Sequence, residues 1–418
     1  MEIHRIARFI IGCMIFLMSG MVHSSGFRLP ESSISGLSLS NAVVANTYAT
    51  GAIIYNPALM SAHDERRSLS VGLMNVKLDS HVNPENGTPT DSEGDDSIFI
   101  PNFYYTSRIN SQWSWGIGLD APFGLETKWP AGTFGLFSAL GVPNLEPEES
   151  RIEMVNLTPN ASFRVDENNS VAFGINYYDV RELIFNTQSI DIKGDGNDFG
   201  FTLAYLYERG PWNFGATYRS SVNTSLDGSV TAGPETSSAS ADLEFPSMIQ
   251  IGLRNQINPQ LAVEFDIERT NWSSFDALEI KHQNSLVPVN PIVSTNSWND
   301  VTAYRISATY QLNTNLQLRF GYTTDETPQA DKYYSPRIPD ADRQLLSFGA
   351  GYKHNDWEFE GGLMLIMFDD RTINRPANSY QTKLGSGDTD PNGTDAYNGK
   401  YESDAIFLGV GLTKTFAQ

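Results

Sequence analysis

Cysteine is all but missing from this chain of 418 residues: the single Cys13 lies so near the N-terminus that cleavage of a leader removes it. That leaves no disulfide framework and no thiolate chemistry. Basic residues are also scarce. With 28 Lys and Arg against 49 Asp and Glu the formal charge is −21, the wrong sign for gripping a phosphate backbone, so no nucleic acid partner is expected. Histidine is down to six, with no HExxH or paired spacing for a transition metal, and no cofactor is expected. Beyond the first residues there is no long apolar run: Leu363 to Phe368 is closed by Asp369 and Asp370, far short of the ~18 residues of a membrane helix.

The one apolar stretch that does occur is at the start. Arg5 and Arg8 precede a core from Phe9 to Val22, and Val22-His23-Ser24 suits a cleavage site, so residues 1–24 are expected to be a secretory signal peptide and the mature chain to begin near Ser25. Ile10-Ile11-Gly12-Cys13 resembles a lipobox, but the apolar core continues past Cys13 and argues against lipidation.

Alternation takes the place of runs. Leu261, Val263, Phe265 and Ile267 point one way along a strand while Ala262, Glu264, Asp266 and Glu268 point the other; Trp113, Trp115, Ile117 and Leu119 alternate with Ser114, Gly116, Gly118 and Asp120. This is the period-two pattern of a sheet with one greasy and one polar face. A soluble sandwich alternates too, but its core could not hold Glu264, Asp266, Glu268, Arg219, Arg305, Arg319, Glu358 and Glu360. Six short polar links, such as Gly210-Pro211 and Asn313-Thr314-Asn315, alternate with seven longer ones near 82–96, 128–150, 191–197, 231–239, 283–297, 328–341 and 373–400. Thirteen links predict about fourteen strands. Short turns on one side and long loops on the other describe an all-β, antiparallel transmembrane β-barrel of the bacterial outer membrane. Strands that cross lipid must close on themselves, because lipid offers the backbone no hydrogen-bond partner.

Residues 25–66 do not alternate; Ser, Gly and Asn56-Pro57-Ala58 dominate. A fourteen-stranded barrel leaves a channel unless something fills it, so this segment is expected to be a hatch, with the barrel over 67–418.

Several ordered motifs then resemble the FadL-type outer-membrane transporters of long-chain fatty acids and other hydrophobic compounds. They are Ser25-Gly26-Phe27-Arg28-Leu29, Asn56-Pro57-Ala58-Leu59, Ala121-Pro122-Phe123-Gly124-Leu125, Thr217-Tyr218-Arg219-Ser220, Phe245-Pro246-Ser247-Met248, Trp272-Ser273-Ser274-Phe275, Ala303-Tyr304-Arg305-Ile306 and Ile338-Pro339-Asp340-Ala341-Asp342-Arg343. The resemblance implies a hydrophobic ligand, bound near the hatch and released sideways into the membrane where the third strand kinks near Gly124. It marks Phe27, Asn56, Pro57, Ala58, Phe123, Gly124 and Arg305 as ligand or gate residues. It further implies a monomer whose partners are a long-chain fatty acid or similar small molecule, outer-membrane lipid and lipopolysaccharide.

One departure is visible. Relatives that take fatty acids place basic residues in the pocket, yet the chain is neutral near Phe185 and over Ser294 to Asn296. Uptake of neutral aromatic hydrocarbons, or a general porin, is the alternative. Asp388, Asp390, Asn392 and Gly393 imitate a calcium loop, but Gly399 stands where its closing Glu belongs. No Ser and His are placed together as a barrel phospholipase needs, so no enzyme is expected.

Overall fold

The computed structural model describes residues 26–62, 67–93 and 97–416; the expected signal peptide lies outside the described residues. Fourteen antiparallel strands run in chain order: Arg67–Pro84, Ile98–Arg108, Trp113–Asp120 with Gly124–Lys128, Pro147–Arg164, Asn169–Thr187, Ile190–Arg209, Trp212–Arg219 with Val222–Ala232, Glu235–Phe245 with Met248–Gln256, Leu261–Thr270 with Ala277–His282, Ile292–Thr295 with Val301–Gln311, Leu316–Asp325, Arg343–His354, Trp357–Phe368 and Gly399–Phe416. The first strand pairs with the last over its whole length, from Arg67 opposite Phe416 to Pro84 opposite Gly399, which closes the barrel.

The faces are inverted relative to a water-soluble protein. Phe265 and Ile267 are 43% and 41% exposed on the outside, while Glu264 and Asp266, which alternate with them, are fully buried. The same holds along the third strand, where Trp113 and Trp115 face out and Ser114 and Asp120 face in. A surface of Val, Leu, Ile and Phe with charges inside is stable only against hydrocarbon.

Two loops of the sequence reading are not loops. Residues 191–197 and 231–239 lie in hairpins that turn tightly, Thr187 pairing with Ile190 and Ala232 with Glu235. Their polar residues face outward, while Ile190, Ile192, Val230 and Ala232 alternate inward to pack on Leu278, Ile280 and Val287. Polarity on one face was enough to disguise these strands.

Gly26–Ala62 is buried along nearly its whole length and packs against inward-facing residues of the wall. A short helix, Ile34–Ser38, is capped by Ser33, whose hydroxyl accepts from Gly36 N; 3-10 turns follow at Thr50–Ile54 and Pro57–Ser61. Wall glycines let this backbone press close. A Cβ on Gly215 would stand 2.1 Å from Val44 O, and one on Gly321 would stand 2.2 Å from the Leu39 carbonyl carbon.

The buried wall charges meet the segment's polar groups. Asp266 accepts from Val43 N and Val44 N at 3.0 and 3.1 Å, Glu264 accepts from Ala45 N at 2.7 Å, and Ser307 and Thr323 donate to the Ala42 and Ser40 carbonyls. Arg28 and Arg305 share Glu268, at 2.7 Å for Arg28 Nη2 and for Arg305 Nη2. Glu268→Ala would leave two buried guanidiniums side by side, costing about 3–5 kcal/mol. The temperature at which the folded form is lost on a gel should fall accordingly; an unchanged transition would show that this triad does not hold the segment.

Candidate functional site

Pairing in the wall stops early between the second and third strands. The second and third strands pair from Arg108–Ser114 up to Phe103–Leu119 and no further, so Ile98–Asn102 pair only with the first strand. Beyond Asp120 the third strand bulges: Asp120 faces Asn156 and Gly124 faces Glu153, so three residues, Ala121, Pro122 and Phe123, stand opposite two of the fourth strand. A bulge bends its strand and re-aims its side chains. Pro122 and Pro101, on either side of the break, have no N–H to leave unsatisfied.

The bulged segment does not lack a partner. Leu29 N donates to Pro122 O at 2.9 Å and Gly124 N donates to Phe27 O at 3.1 Å, with Arg28 bridged to Phe123. The luminal segment therefore takes the place that the second strand vacates. At Gly124 the approach leaves no room for a side chain, since a Cβ there would meet the Leu29 side chain at 2.8 Å.

A cavity of about 540 Å³ passes through the break, within the range of small-molecule sites. Its inner end is lined by Ile98, Ile366, Phe368, Ala405 and Phe407, its middle by Phe27, Phe123, Gly124 and Leu125, and its outer end by Phe99 and Val155. Phe99 is 63% exposed on the outer face, so the cavity reaches from lumen to surface. Each arginine on its lining has a carboxylate: Arg28 with Glu268, Arg151 with Glu126 at 2.7 Å, Arg181 with Asp179 at 3.6 Å and Arg343 with Asp325 at 2.9 Å.

Behind the middle lies an aromatic cage. The Phe27 ring sits 4.7 Å from Trp272, 5.5 Å from Phe275, 5.7 Å from Trp298, 5.9 Å from Phe123 and 6.4 Å from Phe245, centroid to centroid. These edge-on and tilted geometries are the favoured ones for aromatic pairs. Phe245, Trp272, Phe275 and Trp298 stand in or beside the breaks in the eighth, ninth and tenth strands.

Of the seven residues marked from the sequence, the structure brings together Phe27, Phe123 and Gly124 on the cavity. Asn56, Pro57 and Ala58 lie elsewhere in the lumen: Asn56 caps the turn by accepting from Ala58 N and donates to Val44 O and Tyr205 O, at 3.0, 2.7 and 3.0 Å. They clamp the segment to the sixth strand. Arg305 is off the cavity too, held by Glu268.

The description of a family of outer membrane protein transport proteins (OMPP1/FadL/TodX) matches residues 15–416. A long-chain fatty acid transport protein of Escherichia coli strain CFT073 is 25% identical over 405 residues, covering 82% of this chain and 86% of that one. Outer membrane protein P1 of Haemophilus influenzae is 22% identical over 405 residues, covering 81% and 85%. Among solved structures, a FadL homologue of Pseudomonas aeruginosa superposes with a TM-score of 0.78 at 17% identity, over 94% of this chain and all of that one. The toluene transporter TodX of Pseudomonas putida gives 0.66 at 16%, over 95% of this chain and again all of that one. With nearly its whole length matched and its barrel closed, the chain belongs to the OMPP1/FadL/TodX family of outer-membrane transport proteins.

Proposed function

We propose that this protein carries long-chain fatty acids or similar hydrophobic compounds across the outer membrane. The ligand binds beside the luminal segment and leaves sideways through the gap between the second and third strands. The observation that carries this reading is the cavity that joins lumen to outer face where the pairing of the second and third strands stops. An apolar tail leaving there passes directly into lipid, whereas an exit through water would re-expose its surface at about 25 cal/mol per Å². In this reading Gly26–Ala62 is the hatch, Phe27, Phe123 and Gly124 form the gate, and Asn56, Pro57, Ala58 and Arg305 fix the hatch in place. The protein works as a transporter and not an enzyme, as a monomer among outer-membrane lipid and lipopolysaccharide. A general porin is disfavoured by the buried segment that packs against the inner wall.

The test is uptake of labelled oleate by cells lacking their own transporter, with and without this protein, and with a neutral aromatic hydrocarbon as competitor. Restored uptake that the competitor leaves alone supports a fatty acid carrier. A folded surface barrel with no oleate uptake would remove the fatty acid reading and favour neutral hydrocarbons.

A further inference from the structure

Among the described residues three tryptophans are buried, Trp129, Trp272 and Trp298, and they use their indole N–H groups differently. Trp129 Nε1 donates to Pro336 O at 2.9 Å. Trp272 Nε1 and Trp298 Nε1 are enclosed to the same degree and have no acceptor among the described residues. A buried indole ordinarily finds a partner for its N–H, because a donor taken out of water and left unpaired costs free energy. Two such donors in one place are therefore held there against a cost.

The two belong to the aromatic cage behind the main cavity. Their ring centroids are 4.9 Å apart and the rings are nearly perpendicular, at 72°. Phe245, Met248, Phe275 and Val301 share the cluster with them, and these side chains offer at most a ring face or a thioether, both weak acceptors. Phe27 touches both indoles, at 4.7 and 5.7 Å between centroids, and lines the cavity, which the indoles do not. Phe27 therefore stands between the cavity and two unpaired, uncharged donors. The charged donors on the cavity are already engaged, since each arginine of the lining has a carboxylate.

Resting on the functional reading above, we propose that Trp272 and Trp298 form a subsite for an uncharged oxygen acceptor, the carbonyl of a ketone or ester, at the end of a hydrophobic ligand whose chain lies in the main cavity. The ligand's end reaches the indoles when the Phe27 ring swings aside. A carbonyl oxygen has two lone pairs, so one ligand group can serve both donors. Their desolvation is complete before the ligand arrives, so pairing them adds to binding, whereas a hydrocarbon of equal length leaves them as they were. Trp272 and Trp298 are thereby specificity residues that favour oxygenated compounds over plain hydrocarbons.

Equilibrium binding of a labelled long-chain methyl ketone and of the alkane of equal carbon number to the purified full-length barrel tests this. The unaltered protein should bind the ketone about tenfold more tightly than the alkane. In the double variant Trp272→Phe, Trp298→Phe, which keeps two rings and loses both N–H groups, that preference should shrink to less than about threefold. If the double variant does not fold, the ultraviolet resonance Raman band of the indole N–H in the unaltered protein supplies the reading, and it should shift on adding ketone and stay in place on adding alkane. Equal binding of ketone and alkane by the unaltered protein, a full preference kept by the folded double variant, or an N–H band that ignores the ketone would overturn the proposal and leave hydrophobic transport standing. Binding of neither ligand by the unaltered protein would instead remove the functional reading and this proposal with it.

Discussion

Deletion of Pro122 is expected to cut uptake of a hydrophobic solute by more than tenfold while the barrel still assembles at normal abundance. The bulge places Ala121, Pro122 and Phe123 opposite two residues of the fourth strand. Removing one restores an even count, and the strand after Asp120 can continue straight. It would then meet Ile98–Asn102, whose outer side has no strand partner. Backbone groups facing lipid gain by pairing, so the gap should zip shut and the cavity lose its outer end. Binding at the inner end should survive. Uptake and binding must therefore be measured together, and unchanged uptake at equal surface abundance would show that the ligand does not leave through this gap. Gly124→Val acts on the same place more mildly. Its side chain displaces Leu29 without altering register, and a several-fold loss is expected.

Much of this architecture was legible from the sequence because its physics repeats every second residue. Glu264, Asp266 and Glu268 between Val263, Phe265 and Ile267 admit one explanation, a polar lumen and an apolar exterior, and all three carboxylates are indeed buried. The strand count followed from turns that obey local rules of Asn, Gly and Pro. Reading failed at 191–197 and 231–239 because these hairpins carry apolar residues on one face only, and density of polar residues then mimics a loop.

The site was half visible. Phe27, Phe123 and Gly124 met on the cavity because their motifs are local, and the one-residue bulge follows the Ala-Pro-Phe-Gly run. Arg305 was placed with the ligand residues, yet the same alternation that turns it inward also sets it against Glu268, one strand away, where Asp266 is its register partner. Trp298 was missed for the opposite reason: it stands in a strand break with no period, and only three-dimensional packing brings it to the Phe27 ring.

Phe27→Ala is expected to separate binding from transport. The ring occupies the centre of five aromatic neighbours, and a buried Phe-to-Ala change costs about 3–5 kcal/mol where the site cannot collapse. That loss falls on the end of the luminal segment and not on the barrel, which is closed by the pairing of its first strand with its last over their whole length. Thermal loss of the folded form should thus shift little. The segment's hold on the bulge is another matter, since Phe27 O and Leu29 N are the groups that pair with Gly124 N and Pro122 O. With the anchor gone the bulged strand is free to drift toward the second strand, and uptake should fall at least fivefold. The vacated space adjoins an apolar cavity, so equilibrium binding of a hydrophobic ligand should be kept or improved. Uptake that stays normal in this variant would mean that the segment does not hold the gap open. Binding and uptake falling in parallel would place the Phe27 ring in the ligand site itself, with the wall break held open by the bulge alone.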